Sequence, residues 1–328
     1  MLNSIKELVS VNGVSGNEHK VADYIKTQIT PYADKVYTDV MGNLVAVKRG
    51  SGKKILVMAH TDEIGIVATF VDEKGFVRVA AVGGVNPANF KNCYVTFENG
   101  VRGVFTSSKK ENIKMTDCYV DIGATSRESA LEKIDLGMSA RFDGDTFEMG
   151  DMIVSKCLDD RVGCYVLMET IKRMPATENE VYFVFTSQEE VGLRGAKVCG
   201  FDISPDVAIA VDVTVAFDSP DIEGYGTKLG GGAAIKVRDN SVICSKEVVE
   251  SMEALAFRYG IATQRDVLTA GGTDVGAVQS SGRGAYAGGI SVPIRNVHTT
   301  CEAANKNDIV AAVNLLTAFV QKNIENNI

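Results

Sequence analysis

Continuous apolar runs that end on acidic residues or histidine constrain this chain more than any other feature. The run at residues 181–185 precedes Glu189 and Glu190, and the run at residues 54–59 leads directly into His60. Such runs are typical of strands that are covered on both faces of an α/β sheet, and ligands gather at the carboxyl ends of these strands. We therefore predict an α/β fold with its functional site at the strand ends.

Three further positions follow the same design. Asp212 ends the apolar run at residues 207–211, His298 follows an extended segment, and Asp159 lies beside Asp160 at the start of a predicted helix. Taken alone, each position also fits an ordinary polar turn or helix start. The chain has only three histidines, however, and two of them belong to this pattern. Spacing does not decide which of the two adjacent aspartates takes part.

Two histidines and three carboxylates suit a pair of divalent cations, each bound by one histidine and one carboxylate, with the remaining carboxylate as a bridge. Zinc or cobalt suits this ligand set, and manganese is an alternative. Such a pair holds a water molecule and lowers its pKa. Glu189 can then accept a proton from this water and pass it to a leaving amine, while Asp62 can orient the ring of His60. A glycosidase that used the same carboxylates would leave the histidines without a task.

Between residues 67 and 153 the pattern changes to short alternating runs separated by glycines. This pattern is typical of a small β-barrel or sandwich. Since the strand that ends at His60 precedes the region and long helical patterns follow it, we predict an inserted domain. The catalytic domain would then comprise residues 1–66 and 154–328.

Composition excludes several classes of partner and location. The net charge of −8 argues against binding to nucleic acid or to an anionic membrane surface. The amino-terminal residues lack a signal-peptide pattern, and no segment approaches the roughly 20 apolar residues of a membrane span. The seven cysteines are scattered and include no CxxC pair, which fits small buried residues in a reducing compartment. We therefore predict a cytoplasmic protein.

At the level of motifs, the chain resembles the M42 family of metallo-aminopeptidases, which includes glutamyl and deblocking aminopeptidases. The resemblance spans nearly the whole chain in the family's order and rests on five segments: HTDEIG at 60–65, DDRVG at 159–163, QEEVGLRGA at 188–196, VD at 211–212 and PIRNVH at 293–298. It implies a phosphorylase/hydrolase-like mixed sheet flanked by helices, with an inserted β-barrel-like dimerisation domain. It also implies self-association to dimers and to a tetrahedral dodecamer.

The resemblance assigns a role to each candidate residue. The implied metal ligands are His60 with Asp212, Glu190 with His298, and Asp159 as the bridge between the two ions. Glu189 would be the general base, and Asp62 would orient His60. Asp274 and Arg295 fall in family-like segments and would contact the substrate. The choice of Asp159 over Asp160 rests on this resemblance alone.

The sequence thus predicts a two-metal aminopeptidase that removes amino-terminal residues from short peptides. Two alternatives stay open: a related metal-dependent deacylase, carboxypeptidase or esterase, and a catalytically silent scaffold that binds peptides. The chain also departs from the family in three places. The inserted region lacks a histidine, Asn296 follows Arg295 where an aromatic residue is common, and Thr299 follows His298 where serine is common. These departures bear on assembly and substrate preference, since no ligand candidate is lost.

Overall fold

A computed structural model describes residues 1–174, 176–220 and 226–322. The helices in this part of the chain are α1 (Leu2–Ser10), α2 (His19–Ile29), α3 (Pro87–Phe90), α4 (Arg127–Leu131), α5 (Leu158–Arg173), α6 (Arg194–Ile203), α7 (Lys246–Tyr259), α8 (Asp274–Gln279) and α9 (Lys306–Gln321). The strands are β1 (Lys35–Thr38), β2 (Leu44–Lys48), β3 (Lys54–His60), β4 (Gly65–Val71), β5 (Val77–Val82), β6 (Cys93–Phe97), β7 (Arg102–Ser107), β8 (Cys118–Asp121), β9 (Ser139–Phe142), β10 (Phe147–Met149), β11 (Met152–Ser155), β12 (Glu180–Thr186), β13 (Val207–Val215), β14 (Ala233–Arg238), β15 (Thr263–Val267), β16 (Tyr286–Arg295) and β17 (Glu302–Asn305).

One large mixed sheet of eleven strands forms the body of the molecule. Its main path runs β1-β2-β12-β3-β13-β16-β17-β11-β10, and β14 joins β16 to β15. The four central strands β12, β3, β13 and β16 are parallel neighbours. The apolar runs in β3 and β13 are buried along their length, as expected for strands that are covered on both faces. Because the four strands are parallel, their carboxyl ends lie at one edge of the sheet.

Helices flank this sheet in two packed groups. α5 contacts β3, β13 and α9, whereas α8 contacts the same two strands and packs against α6. At the start of α5, Asp159 and Asp160 have non-helical backbone torsions, and the peptide bond between them is cis. These two residues therefore precede the regular helix and lie close to the strand ends. The predicted sheet flanked by helices is confirmed.

A second, smaller sheet closes on itself as a six-stranded antiparallel barrel. Its strands follow the order β4-β5-β8-β7-β6-β9. The barrel has a hydrophobic core of its own, in which the rings of Phe90 and Phe142 stack with centroids 3.9 Å apart and Phe105 meets Phe142 edge to face. The predicted β-barrel-like insert is confirmed. The domain boundaries at residues 66/67 and 153/154 stay predictions.

No helix among the described residues combines the length and hydropathy that a membrane crossing requires. All seven cysteines are free thiols, and five of them are buried. The cytoplasmic location stays a prediction of the sequence.

Candidate metal and catalytic site

The register of the parallel strands brings four predicted residues to the same edge of the sheet. His60 is the last residue of β3 and pairs with Thr186 of β12, from which the chain continues to Glu189 and Glu190. β13 pairs with β3 up to Ala210, so Asp212, two residues further along, lies level with His60. The fold therefore collects these side chains at one edge, although they are far apart in sequence.

The two histidines face different oxygens of Asp159. Nε2 of His60 lies 3.0 Å from Oδ1 of Asp159, and Nε2 of His298 lies 3.3 Å from Oδ2. Each histidine also faces a second carboxylate: His60 lies 4.0 Å from Asp212, and His298 lies 3.2 Å from Glu190. Atoms that bind one cation with bonds of about 2 Å lie roughly 3–4 Å apart. The donor set is therefore compatible with two cations that share Asp159.

Asp160 is the competing candidate for the shared position. Its oxygens also lie close to those of Asp212 and to a ring nitrogen of His60, so this trio forms a compact group of donors. Both of its oxygens, however, accept backbone N–H groups, from Gly163 at 3.0 Å and from His60 at 3.2 Å. Asp159, unlike Asp160, lines the cavity described below. The geometry favours Asp159 as the shared ligand.

Each histidine ring is held on its far side by a carbonyl oxygen. Nδ1 of His60 lies 3.1 Å from the backbone oxygen of Asp62 and 3.5 Å from its carboxylate. Nδ1 of His298 lies 3.1 Å from the backbone oxygen of Gly84, which belongs to the loop after β5 of the barrel. An acceptor at Nδ1 fixes the ring so that Nε2 is free to bind a metal. The barrel thus contributes directly to the site.

Asp62 does more than face His60. Its Oδ1 accepts the backbone N–H of Glu189 at 2.9 Å, and its Oδ2 accepts that of Glu190 at 3.1 Å together with the hydroxyl of Ser15 at 2.6 Å. Burial alone would raise the pKa of Asp62, but the hydrogen bond to His60 and the other donors hold this pKa below its ordinary value. Asp62 is therefore an anion that fixes the chain where β12 ends.

The remaining acidic groups are crowded together: Asp212 is buried, and Glu189 and Glu190 are half-buried. Burial raises the pKa of Glu189 well above its ordinary value, and the nearby carboxylates of Asp212 and Asp274 add to this effect. Burial likewise raises the pKa of Glu190, and it raises that of Asp212 to about 8. Crowded buried carboxylates are costly unless cations compensate them. This charge balance also fits a site for divalent cations.

The predicted residues share a cavity of about 430 Å³. Six of them line it: His60, Asp159, Glu189, Glu190, Asp212 and His298. Its lining also includes Lys236, Asp239, Leu268 and Thr273. The ammonium of Lys236 lies 2.7 Å from Asp266 and 3.8 Å from Asp239. The cavity size is within the range of small-molecule sites.

Asp274 and Arg295, which the sequence predicts as substrate contacts, are not among the residues that line this cavity. Asp274 is buried and accepts a hydrogen bond from Thr186. Arg295 forms a bidentate ion pair with Asp218, with N–O distances of 2.8 and 2.9 Å. Both side chains already have partners inside the protein, and their contact with substrate stays a prediction.

Sequence reasoning missed three residues around the site. Gly84 contacts His298, Ser15 donates to Asp62, and Glu302 accepts the backbone N–H groups of two ligand candidates. Ser15 and Glu302 do not follow an apolar run, and Gly84 has no side chain that could act as a ligand, so the pattern that identified the ligands gives no signal for them.

Known proteins resemble this chain both in sequence and in fold. The family model described as M42 glutamyl aminopeptidase matches residues 42–315. A putative aminopeptidase of Acetivibrio thermocellus is 47% identical over 324 residues, which cover 98% of each chain. Among solved structures, aminopeptidase APDkam598 from Desulfurococcus kamchatkensis is 35% identical with a TM-score of 0.95, covering 98% of this chain and 94% of that one. The TET1 peptidase of Pyrococcus horikoshii, which can assemble into a tetrahedron or a large octahedral shell, is 32% identical with a TM-score of 0.89, covering 98% and 99%.

Proposed function

The chain belongs to the M42 glutamyl aminopeptidase family and is an aminopeptidase-type hydrolase, and on this premise we propose that it removes amino-terminal residues from short peptides with two divalent metal ions. The observation that carries the proposal is the arrangement of two histidines around the two oxygens of Asp159, with Glu189 on the wall of the same cavity.

The proposed ligands form two groups that share one carboxylate. His60 and Asp212 would hold one ion, Glu190 and His298 would hold the other, and Asp159 would contact both. Bound zinc, cobalt or manganese would supply positive charge that polarises the scissile carbonyl group and acidifies a water molecule. The distances of 3.0–4.0 Å between the histidine nitrogens and the carboxylate oxygens support this assignment.

Glu189 is the proposed general base. It lines the cavity beside Glu190, and the bond from its N–H to Asp62 fixes its backbone. In the reaction Glu189 accepts a proton from the attacking water while the new C–O bond forms. It then delivers that proton to the nitrogen of the leaving amine as the C–N bond breaks. The carboxylate is regenerated at the end of the cycle.

The first experiment measures hydrolysis by metal-stripped protein before and after zinc, cobalt or manganese is added. The substrates are aminoacyl chromogenic amides and short peptides with free or blocked ends. We expect activity that requires both a metal and a free amino end. Cleavage of substrates with a blocked amino end would instead indicate a deacylase or carboxypeptidase. No hydrolysis and no retained metal would indicate a peptide-binding scaffold.

The Glu189→Gln variant tests the proposed base separately from the metals. The amide keeps the size of the side chain but cannot accept the proton, so we expect turnover to fall by at least about 100-fold, the lower range for general-base catalysis. Metal content, measured by elemental analysis, should stay at two ions per chain. The control is Glu111→Gln, an exposed glutamate on the loop after β7, which should leave turnover unchanged. Wild-type turnover in Glu189→Gln would contradict the mechanism.

We further propose that the chain assembles into dimers and a tetrahedral dodecamer. The TET1 peptidase of Pyrococcus horikoshii supports assembly by its fold and by its described tetrahedron. The surface also carries large apolar side chains, of which Phe257 is 93% exposed and both Phe201 and Ile243 are 70% exposed. Exposed apolar side chains of this size favour contact with another protein surface.

A further inference from the structure

Glu302 is a buried acidic residue that the proposed reaction does not use. It is the first residue of β17, whose backbone pairs with β11, and its side chain is 2% exposed. It borders a small cavity together with Asp159, Glu190 and His298. A buried carboxylate without hydrogen bonds would be costly, so its partners indicate why it is there.

The carboxylate of Glu302 joins two distant segments of the chain through their backbones. Its Oε2 accepts the N–H of Asp159 at 3.0 Å, and its Oε1 accepts the N–H of His298 at 2.8 Å. Asp159 precedes the regular part of α5, and His298 lies in the loop between β16 and β17. One side chain therefore fixes both residues relative to each other.

Both of these backbone positions need such a partner. Asp159 has non-helical backbone torsions. His298 has a φ of 57°, in the left-handed region that residues other than glycine rarely adopt. An N–H at such a position cannot rely on a regular ladder of hydrogen bonds. Glu302 supplies the acceptor at both positions, one oxygen for each N–H group.

Asp62 holds the other half of the site in the same way. Its two oxygens accept the N–H groups of Glu189 and Glu190, as those of Glu302 accept the N–H groups of Asp159 and His298. Two buried carboxylates thus set the backbone of four residues that carry the proposed chemistry. Neither needs to touch a metal or a substrate to do so.

We infer that Glu302 is a positioning residue that sets the separation of Asp159 and His298 so that both can bind the same divalent cation. The inference rests on the proposed function and adds a residue to its metal site. Groups that orient ligands from behind typically change metal affinity by about 10–100-fold when they are removed.

The test uses the Glu302→Gln variant of the full chain and Co²⁺ as the probe. The amide has the same size, but it presents one oxygen and one NH₂ group, so it can accept only one of the two N–H groups. We expect the affinity for Co²⁺, measured in competition with a chelator, to fall by about 10–100-fold. The visible absorption of bound Co²⁺, which reports its coordination geometry, should also change.

Asp308→Asn is the matched control. Asp308 is fully buried, and its two oxygens accept the N–H groups of Gly230 at 2.8 Å and Gly232 at 2.7 Å, none of which belongs to a ligand candidate. This variant loses the same kind of hydrogen bond, so thermal unfolding should show a comparable loss of stability. Its affinity for Co²⁺ and the spectrum of the bound ion should match those of the wild type.

The outcomes separate the inference from the proposed function. Wild-type affinity and spectrum in Glu302→Gln overturn the inference, and so does an equal loss of affinity in Asp308→Asn, because it would reflect general destabilisation. A wild-type protein that binds no Co²⁺ overturns the proposed metal site itself, and the inference with it. If Glu302→Gln does not fold, Glu302→Asp replaces it, since the shorter carboxylate cannot span both N–H groups and the same loss is expected.

Discussion

Asp159 and Asp160 are neighbours with the same side chain and different tasks. The oxygens of Asp159 point to the two histidines, whereas those of Asp160 accept backbone N–H groups from Gly163 and His60. The carboxylate of Asp160 therefore supports the backbone, while that of Asp159 faces the cavity. Substituting each of the two aspartates in turn therefore compares the two roles directly.

The Asp159→Asn variant should lower the affinity for both cations, because an amide is a weaker ligand and cannot offer two equivalent anionic oxygens. The Asp160→Asn variant should still bind two ions, although the loss of a buried acceptor costs about 1–3 kcal/mol of stability. Elemental analysis and Co²⁺ titration measure the first effect, and urea unfolding measures the second. Retention of two ions in Asp159→Asn together with their loss in Asp160→Asn would reverse the assignment.

The sequence predicts some residues of the site and not others, for a physical reason. His60, Glu190 and Asp212 are recognisable because each ends or follows a continuous apolar run, which is visible in the sequence itself. Glu302 accepts the backbone N–H of Asp159, and Gly84 contacts the ring of His298 through its own carbonyl oxygen. Such contacts depend on how distant segments meet, and this is a property of the folded chain rather than of any local pattern.

Within the elements, α5 is held by a buried cation near its start. Arg161 is fully buried and donates to the carbonyl oxygens of Leu8 in α1, of Val11 just after α1 and of Thr61 after β3. It also lies 3.4 Å from Glu63. Arg161 thereby ties the amino-terminal helix to the segment that carries His60 and Asp62.

We expect Arg161→Met to lower the free energy of unfolding by about 3–5 kcal/mol, because it leaves buried acceptors and part of the charge of Glu63 without a partner. Arg173→Met is the control on the same helix. Arg173 is exposed and pairs with Glu169 four residues away, an arrangement that contributes only about 0.3–0.5 kcal/mol. Urea unfolding of both variants tests the difference, and similar stabilities would contradict the role given to Arg161.

The loop after β5 connects the barrel to the metal site through Gly84. A Cβ at this position would lie 2.8 Å from Nδ1 of His298, closer than packed atoms tolerate. Gly84 does not adopt a positive φ, so alanine fits its backbone and only the contact with the ring changes.

Gly84→Ala should therefore displace the ring of His298. We expect the affinity for the ion proposed to bind His298 and Glu190 to fall by about tenfold. The thermal midpoint of the metal-free variant should stay close to that of the metal-free wild type. Co²⁺ titration and thermal unfolding provide the two readouts. Unchanged affinity would mean that the barrel does not influence the site.

The elements themselves were predictable to different degrees. The central strands are predictable because β3, β12 and β13 are continuous apolar runs, and the barrel is predictable because its short strands alternate apolar and polar residues between turns that contain glycine. The strand order of the barrel, β4-β5-β8-β7-β6-β9, does not follow from the sequence pattern. Strand order depends on which pairings bury the most surface together, and a single strand carries little information about that.

For the whole molecule, the central expectation is self-association. Light scattering coupled to size exclusion should give a mass that is a multiple of the 35.1 kDa chain, twelvefold for the dodecamer, with dimers at high dilution. The apolar side chains on the surface favour this result over a monomer. Phe257→Glu is a useful variant, because a charge at this exposed position weakens any apolar contact that Phe257 makes with another chain. A single-chain mass at all concentrations would contradict the assembly proposal.

The proposed ligands extend along the chain from His60 to His298, and this spread has a consequence for how the protein is made. During synthesis His60 leaves the ribosome long before the strand that precedes His298 exists. On the proposed mechanism, a nascent chain without that strand lacks one of its five metal ligands and is not a working peptidase. Activity therefore begins only when the last strands have joined the sheet, so a growing chain cannot cleave other peptides that emerge beside it.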